Sequence, residues 1–454
     1  MNDQYKYLLD ESKLPKAWYN IRADMPVPLS PMLNPRTKQP VTAESGALFA
    51  KRLMAQEGST ERWIEIPEPV REIYKLWRPT PLVRARRLEI ALDTPAHLYY
   101  KYEGVSPVGS HKPNSAVPQA FYNKQEGAKA LTTQTIYGQW GAALAMACNF
   151  FDLEVEVYMV KGPYNQIPAR RTLMESYGAQ IFASPTNRTR FGQQVLAKAP
   201  DSLGSVGIAT SEAMEVAFRS RGSKKYSLGF MLNHILLHQS VMGLESLDQF
   251  EMADEYPDMV IACTSSGTNF GGFAYPFLHH NLTKGKQTRL IAVESTACPT
   301  LTRGKYAFDY CDKAGMSPIV KMHTLGSGFT PPANHAGSLV YHGMSPTISA
   351  LVASDYIEAR AVPQLDAFEA GILFARAEGI IPSPEPAHAI RVAIDEALRC
   401  KATGEQKVIA FNLSGHSHFD MTPYDAYFQG KLENYYHSEE ALQQAMTGLP
   451  QVAA

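Results

Sequence analysis

Short, nearly continuous apolar runs rich in β-branched and aromatic residues alternate along this chain with longer stretches of helical spacing. Five of them read as strands: HLYYKYEGV (97–105), VEVYMV (155–160), DMVIACTS (258–265), RLIAVES (289–295) and KVIAFNLS (407–414). A strand with one wet face alternates apolar and polar residues. These runs do not, so they belong in sheets covered on both faces, the habit of mainly parallel α/β sheets. The alternation of runs and helical stretches begins at PTPL (79–82). Residues 1–77 are rich in Pro and charge, with MPVPLSPMLNP at 25–35, and read as an N-terminal extension packed on the body with one helix near 43–57. An N-terminal α/β region is expected over 78–245 and a C-terminal one over 246–454. The tail after about 430 reads as helical and polar. No repeat or low-complexity tract suggests a solenoid.

Composition narrows the class. A chain of 454 residues that is 45% hydrophobic and 19% charged can bury a large core in a two-lobed enzyme or two to three domains. The formal net charge of -1 gives no reason to expect a nucleic-acid or membrane-surface partner. The five cysteines form no CxxC pair, which suits a reduced, cytoplasmic protein without a disulfide framework or structural zinc. The polar start MNDQYKYLLDESK lacks the apolar core of a signal peptide, and no apolar run reaches the ~18 residues of a membrane helix.

Chemistry concentrates in four segments. In EGVSPVGSHKPNSA (103–116), Lys112 stands at the mouth of a helix beginning near Pro113, directly after His111. A cation sits badly at the positive end of a helix dipole, so the position favours a neutral or covalently modified amine, hence a nucleophile or Schiff base. A plain surface lysine is the alternative. In ACTSSGTNFGGFAYPF (262–277), a strand end, the small residues Ser265, Ser266, Gly267, Thr268 and Asn269 and a helix start can cradle a phosphate with backbone N–H groups. The loop lacks GK[ST] and GxGxxG, which leaves a nucleotide unsupported; a plain turn is the other reading. LTTQTIYGQWGAALAMAC (131–148) is a strand-like entry, a turn with Gly138 and Gly141, and an apolar helix whose start can hold a carboxylate. IAFNLSGHSHFD (409–420) delivers Ser414 from a buried strand; its H-x-H-x-D run has no second ligand set at metal spacing, so no metal site is read.

Together these segments, with KYSLGFMLNHILLHQSVMGLE (225–245), AVESTACPTLTRGKYAFDY (292–310), HAGSLVYHGMSP (335–346) and EGIIPSPEPAHAI (378–390), resemble the tryptophan synthase beta chain family, in its longer class with an extended N-terminus. The likeness spans about residue 10 to about 430. It implies pyridoxal phosphate and the type II fold of such enzymes, two three-layer αβα domains with the cofactor between them. It further implies that Lys112 is the Schiff-base lysine, that His111 and 265–269 hold the cofactor phosphate, that Ser414 faces the pyridine nitrogen and that Glu385 lies near the ring. Thr135, Ile136, Tyr137, Gly138, Gln139 and Trp140 are implied to bind the amino-acid carboxylate, in a mobile subdomain over about 127–215. A homodimer and a monovalent cation follow from the same resemblance, and the extended class argues against an alpha-subunit partner. The implied reaction is β-replacement or β-elimination on serine or an activated serine such as O-phosphoserine, with indole or another nucleophile, through an aminoacrylate.

The chain departs from that pattern at the carboxylate loop. Gln134 stands where the family carries a catalytic glutamate in ETGAGQ. It can hydrogen-bond but cannot shuttle a proton, and losing a general acid costs on the order of 10²–10⁴ in rate. Hydroxide is a poor leaving group, so a better one is favoured. Ile136 and Tyr137 replace very small residues and should reshape the amino-acid pocket or move the loop. Ser265 and Ser266 replace glycines, and Thr268 a serine. Pro118, in the second turn after Lys112, should kink that helix. Two other readings stay open: a diverged pyridoxal-phosphate enzyme acting on a different amino acid or nucleophile, and a non-catalytic homologue that binds the cofactor.

Overall fold

The computed structural model describes residues 4–41, 48–312, 314–332 and 337–452. Its larger sheet has seven strands in the order Lys6–Tyr7, Leu82–Arg84, His97–Tyr102, Val408–Leu413, Met259–Cys263, Arg289–Ser295 and Glu358–Val362. The last five are parallel to one another, and the first two form an antiparallel edge. The smaller sheet is wholly parallel, in the order Gln180–Ser184, Glu154–Val160, Ala130–Thr135 and Lys224–Tyr226. The larger sheet therefore draws strands from both sides of residue 245.

All five runs read as strands are strands, within a few residues at their ends. Their apolar character on both faces has the expected cause. Ile409, Phe411, Met259 and Ile261 pack toward helices Gln364–Glu378 and Pro384–Thr403. Ala410, Val260 and Ala262, one residue out of phase, pack toward helix Thr268–Lys284 on the opposite face. The smaller sheet is covered likewise. Leu131, Val155 and Val157 face helices Pro113–Gln125 and Gln139–Phe150, and Tyr158 faces helix Val206–Arg219. Both units are thus helix–sheet–helix sandwiches.

The N-terminal segment is woven into this body. Lys6–Tyr7 adds an edge strand, and the Trp18 ring is buried against His238. Of the helix expected near 43–57, residues 43–47 lie outside the described residues. The described helix is Lys51–Gly58. It starts late because the Leu48 carbonyl accepts from Tyr226 N (2.8 Å) at the edge of the smaller sheet, which keeps the chain extended there. The tail is less helical than its composition suggests. Among the described residues after 430, Glu439–Ala445 alone is helical; the preceding strap is held instead by bonds to Tyr435 and His437 carbonyls from Thr296 and Arg303.

Helix Pro113–Gln125 continues through Pro118. A proline there leaves the carbonyl four residues earlier, that of Asn114, without its helical donor. The buried Tyr74 hydroxyl donates to that carbonyl instead. No helix among the described residues is long and apolar enough to cross a membrane.

Candidate active site

A cavity of about 110 Å³ lies between the two sheets' carboxyl ends, lined by His111, Lys112, Gln134, Thr135, Ile136, Gln139, Trp140, Arg170, Ser265–Asn269, Glu385 and Ser414, among others. An outer cleft of about 500 Å³ shares Ile136, Gln139, Arg170 and His416 with it. Residues as far apart in the sequence as His111 and Ser414 therefore meet in one place.

The lysine is held from below and beside. Ser110 bridges to Gly415, His111 N donates to Ser414 O (3.0 Å), and His416 N donates to Gly109 O (3.2 Å). Gly109–His111 is thereby clamped to the end of strand Val408–Leu413. Beneath the helix start lies a fully buried charge cluster. Arg78 donates to Glu103 (2.8 Å), Glu245 (2.8 Å) and Asn114 (2.8 Å), and Lys101 donates to Glu245 (2.7 Å). Burial alone would raise the Glu103 carboxyl, but Arg78 beside it wins and brings it down to about 2. Burial also pushes the Lys112 ammonium below its usual range, with Glu385 opposing the shift. An amine lowered in this way is readier to act as nucleophile or base. His111 is pushed down to about 3 by burial and by Lys112, so it is neutral.

The site fits a phosphorylated carbonyl cofactor on its own evidence. Gly267, at φ +109°, starts the 17-residue helix Thr268–Lys284, and a Cβ on it would meet Ile348 Cδ1 at 2.5 Å. That sharp turn aims the first N–H groups of the helix at the cavity, where an anion is stabilised. The buried Ser110 hydroxyl, His111 Nδ1 and one Glu385 oxygen lack partners among the described residues. Buried polar atoms rarely go unsatisfied without a missing group. Glu385's other oxygen accepts from Ser338 N (2.8 Å), Ser338 Oγ (2.9 Å) and Gln139 Nε2 (3.2 Å). Two loop side chains are already engaged. Ser265 Oγ donates to Ser338 O (2.6 Å), and Asn269 Nδ2 donates to Cys263 O (3.0 Å). Ser414 Oγ lies 3.8 Å from Cys263 Sγ.

The opposite wall is the 134–140 loop. Gly138, at φ +87°, starts helix Gln139–Phe150, and a Cβ there would press on Arg170 at 2.8 Å. Trp140 Nε1 donates to Thr133 Oγ1 (2.8 Å), which fixes the ring. Ile136 lines both the inner cavity and the outer cleft, whereas Tyr137 lines only the outer cleft. Burial, and Glu385 and Asp420 nearby, push the Tyr137 phenol up to about 12.

Sequence reasoning missed Arg170. It comes from helix Pro168–Ser176, is 3% exposed and lines both cavities. Its Nε and Nη1 have no partner among the described residues, and its guanidinium lies 5.2 Å over the Phe419 ring. In PARRTLMES it looks like any basic residue on an exposed helix; nothing local signals its burial.

Two covered, mainly parallel sheets, with a lysine in the cleft between them facing helix N-termini, define a class. The family described as pyridoxal-phosphate dependent enzyme matches residues 73–415. Tryptophan synthase beta chain 2 of Methanosarcina mazei is 52% identical over 432 residues, 95% of this chain and 98% of that protein. The protein of the same name from Aquifex aeolicus is 52% identical over 431 residues, 94% and 99% of the two chains. The O-acetyl serine sulfhydrylase isoform 3 structure from Entamoeba histolytica shares the fold at 15% identity, with TM-score 0.57 over 84% of this chain and 97% of that one. The chain belongs to the pyridoxal-phosphate-dependent enzymes of fold type II, in the tryptophan synthase beta family.

Proposed function

We propose that this chain catalyses β-replacement on a serine whose hydroxyl carries an anionic leaving group, phosphate being the first to test, with an apolar aromatic nucleophile such as indole. The supporting observation is Arg170: a buried guanidinium whose Nε and Nη1 have no partner among the described residues, beside a loop whose residue 134 is an amide and not an acid. Gln134 cannot protonate a departing hydroxide. A phosphate needs no such proton, and Arg170 is suited to receive its charge with forked N–H donors.

The remaining roles follow the donor set. Lys112 would carry pyridoxal phosphate, with His111 and the N–H groups of Ser265–Asn269 around its phosphate, Ser414 toward the ring nitrogen and Glu385 at the ring's edge. Thr135, Ile136, Gly138, Gln139 and Trp140 would hold the amino-acid carboxylate at the start of helix Gln139–Phe150, with Tyr137 forming the rim. Bound pyridoxal phosphate withdraws electrons from Cα and so eases both proton loss there and departure of the β-substituent. Lys112 Nζ takes the Cα proton, and the Cβ–O bond breaks with its electron pair leaving on phosphate. The nucleophile bonds Cβ and sheds its proton, and Lys112 returns a proton to Cα. Ser414, a hydroxyl where a carboxylate would hold a proton on the ring nitrogen, would leave that nitrogen unprotonated and so disfavour transamination. Assembly as a homodimer and a monovalent cation near the active site belong to this reading by resemblance.

The test is turnover with indole and either serine or O-phosphoserine. We expect kcat/KM for O-phosphoserine to exceed that for serine by about 10²-fold, within the range a missing general acid commands. Equal use of the two substrates would overturn the leaving-group assignment.

A further inference from the structure

The H-x-H-x-D run at 416–420 has no part in the roles given so far. Its first histidine, His416, lines both the inner cavity and the outer cleft, as Arg170 does. The two reach that junction from different lobes. Arg170 comes from helix Pro168–Ser176 beside the smaller sheet, and His416 from the turn after strand Val408–Leu413 of the larger one. They share a platform: the Arg170 guanidinium lies 5.2 Å over the Phe419 ring, and the His416 ring centroid lies 5.5 Å from that of Phe419. A Cβ at Gly109 would meet His416 Cε1 and Nε2 at 2.6 Å, so a glycine ahead of Lys112 makes room for the imidazole edge.

The backbone decides which ring nitrogen donates. His418 N donates to His416 Nδ1 (3.1 Å). The His416 carbonyl, also close to the ring, could accept only from Nδ1, at which an N–H already points. Burial, His418 and Arg170 push the ring from 6.5 down to about 4, so it is neutral and its one hydrogen sits on Nε2. Arg170 supplies the charge. Its Nε and Nη1 have no partner among the described residues, Glu385 and Asp420 act on it through space, and one Asp420 oxygen accepts from Thr422 N (3.1 Å).

Resting on the β-replacement reading above, we propose that His416 and Arg170 together form the subsite for the departing phosphoryl group, at the opening through which the freed phosphate leaves by the outer cleft. The Cβ–O bond breaks with its electron pair on the phosphate. Arg170 takes up the charge, and His416 Nε2–H holds a second oxygen without giving up its proton. Serine brings no phosphoryl oxygen to either donor, so the pair separates the two substrates.

Inorganic phosphate probes the subsite without turnover. Its Kd is measured by calorimetry on the holoenzyme, whose cofactor already fills the cradle at 265–269. His416→Phe should weaken phosphate about tenfold and lower the ratio of kcat/KM for O-phosphoserine to that for serine by about as much. His416→Gln, whose amide N–H can stand where Nε2–H does, should keep both within about threefold. Cofactor absorbance monitors the integrity of each variant. In crystals of the unaltered holoenzyme grown with phosphate, the anion should bond both side chains. Phosphate seated away from His416, a Kd and ratio unmoved in His416→Phe, or equal losses in the Phe and Gln variants would overturn the proposal and leave the β-replacement reading standing. If phosphate binds as stated but no serine derivative undergoes β-replacement, the anion subsite stands and the reaction assignment falls alone.

Discussion

On one wall of the cleft, strand Met259–Cys263 runs through Gly267 into helix Thr268–Lys284; on the other, strand Ala130–Thr135 runs through Gly138 into helix Gln139–Phe150. Both turns place a left-handed glycine at the helix start, where it aims N–H groups into the cavity. Their supports differ. The larger-sheet side is braced by backbone bonds from Gly109–His111 to Ser414–His416 and by the Arg78–Glu103–Glu245–Lys101 cluster. The smaller-sheet side contributes a guanidinium whose Nε and Nη1 have no partner among the described residues, an amide that accepts from Tyr226, and an isoleucine. A frame held by many mutual bonds tolerates little change. Side chains that only face the cavity can be exchanged, and with them the substrate.

The comparison breaks most completely at Lys112. Lys112→Ala should lower turnover by about 10⁴, the upper end for loss of a general base. Borohydride reduction followed by peptide mapping should find the pyridoxyl group on Lys112 in the unaltered protein and nowhere in the variant. Next is the brace itself. Arg78→Met leaves Glu103 and Glu245 buried with Lys101 alone, and should cost about 3–5 kcal/mol in urea unfolding. On the other wall, Arg170→Ala should leave stability and cofactor absorbance nearly unchanged. It should lower kcat/KM for O-phosphoserine by about 10² while that for serine changes little. A loss shared equally by both substrates would mean that Arg170 supports the fold and not the leaving group.

A further effect is read in acid. His388 is fully buried, donates Nδ1 to Pro384 O (2.7 Å), and burial pushes it from 6.5 down to about 4. The unfolded chain takes up a proton at about 6.5 that the folded chain refuses. Stability from this group is therefore whole above about 6.5 and is lost as pH falls from there toward 4, by about 1.4 kcal/mol per pH unit. His388→Gln should flatten that part of the unfolding free energy against pH. An unchanged slope would assign it to other buried histidines.

The five core strands were legible because burial on both faces forces an unbroken apolar run, a purely local signature. The same holds for the strand–small residue–helix turns at 265–269 and 134–140, whose glycines are dictated by backbone sterics. Lys112 stood out because a lysine at a helix start is locally unfavourable. The continuity of helix Pro113–Gln125 was not legible, since the donor that rescues the Asn114 carbonyl is the hydroxyl of Tyr74, 40 residues away. Nor was the irregular strap before 439, held by bonds from Thr296 and Arg303.

What the sequence by itself determined is the fold, through its strand pattern, the cofactor, through the resemblance its motifs carry, and most residues of each wall, Arg170 excepted. Those follow from local pattern and from motifs carried by consecutive residues. What only the tertiary structure decided is how those residues face the cavity. Tyr137 lines the outer cleft, Arg170 is buried with Nε and Nη1 unpartnered among the described residues, and the Gln134 amide accepts from a tyrosine 92 positions away. Orientation and burial depend on which distant side chains complete each hydrogen bond, and no stretch of adjacent residues encodes that.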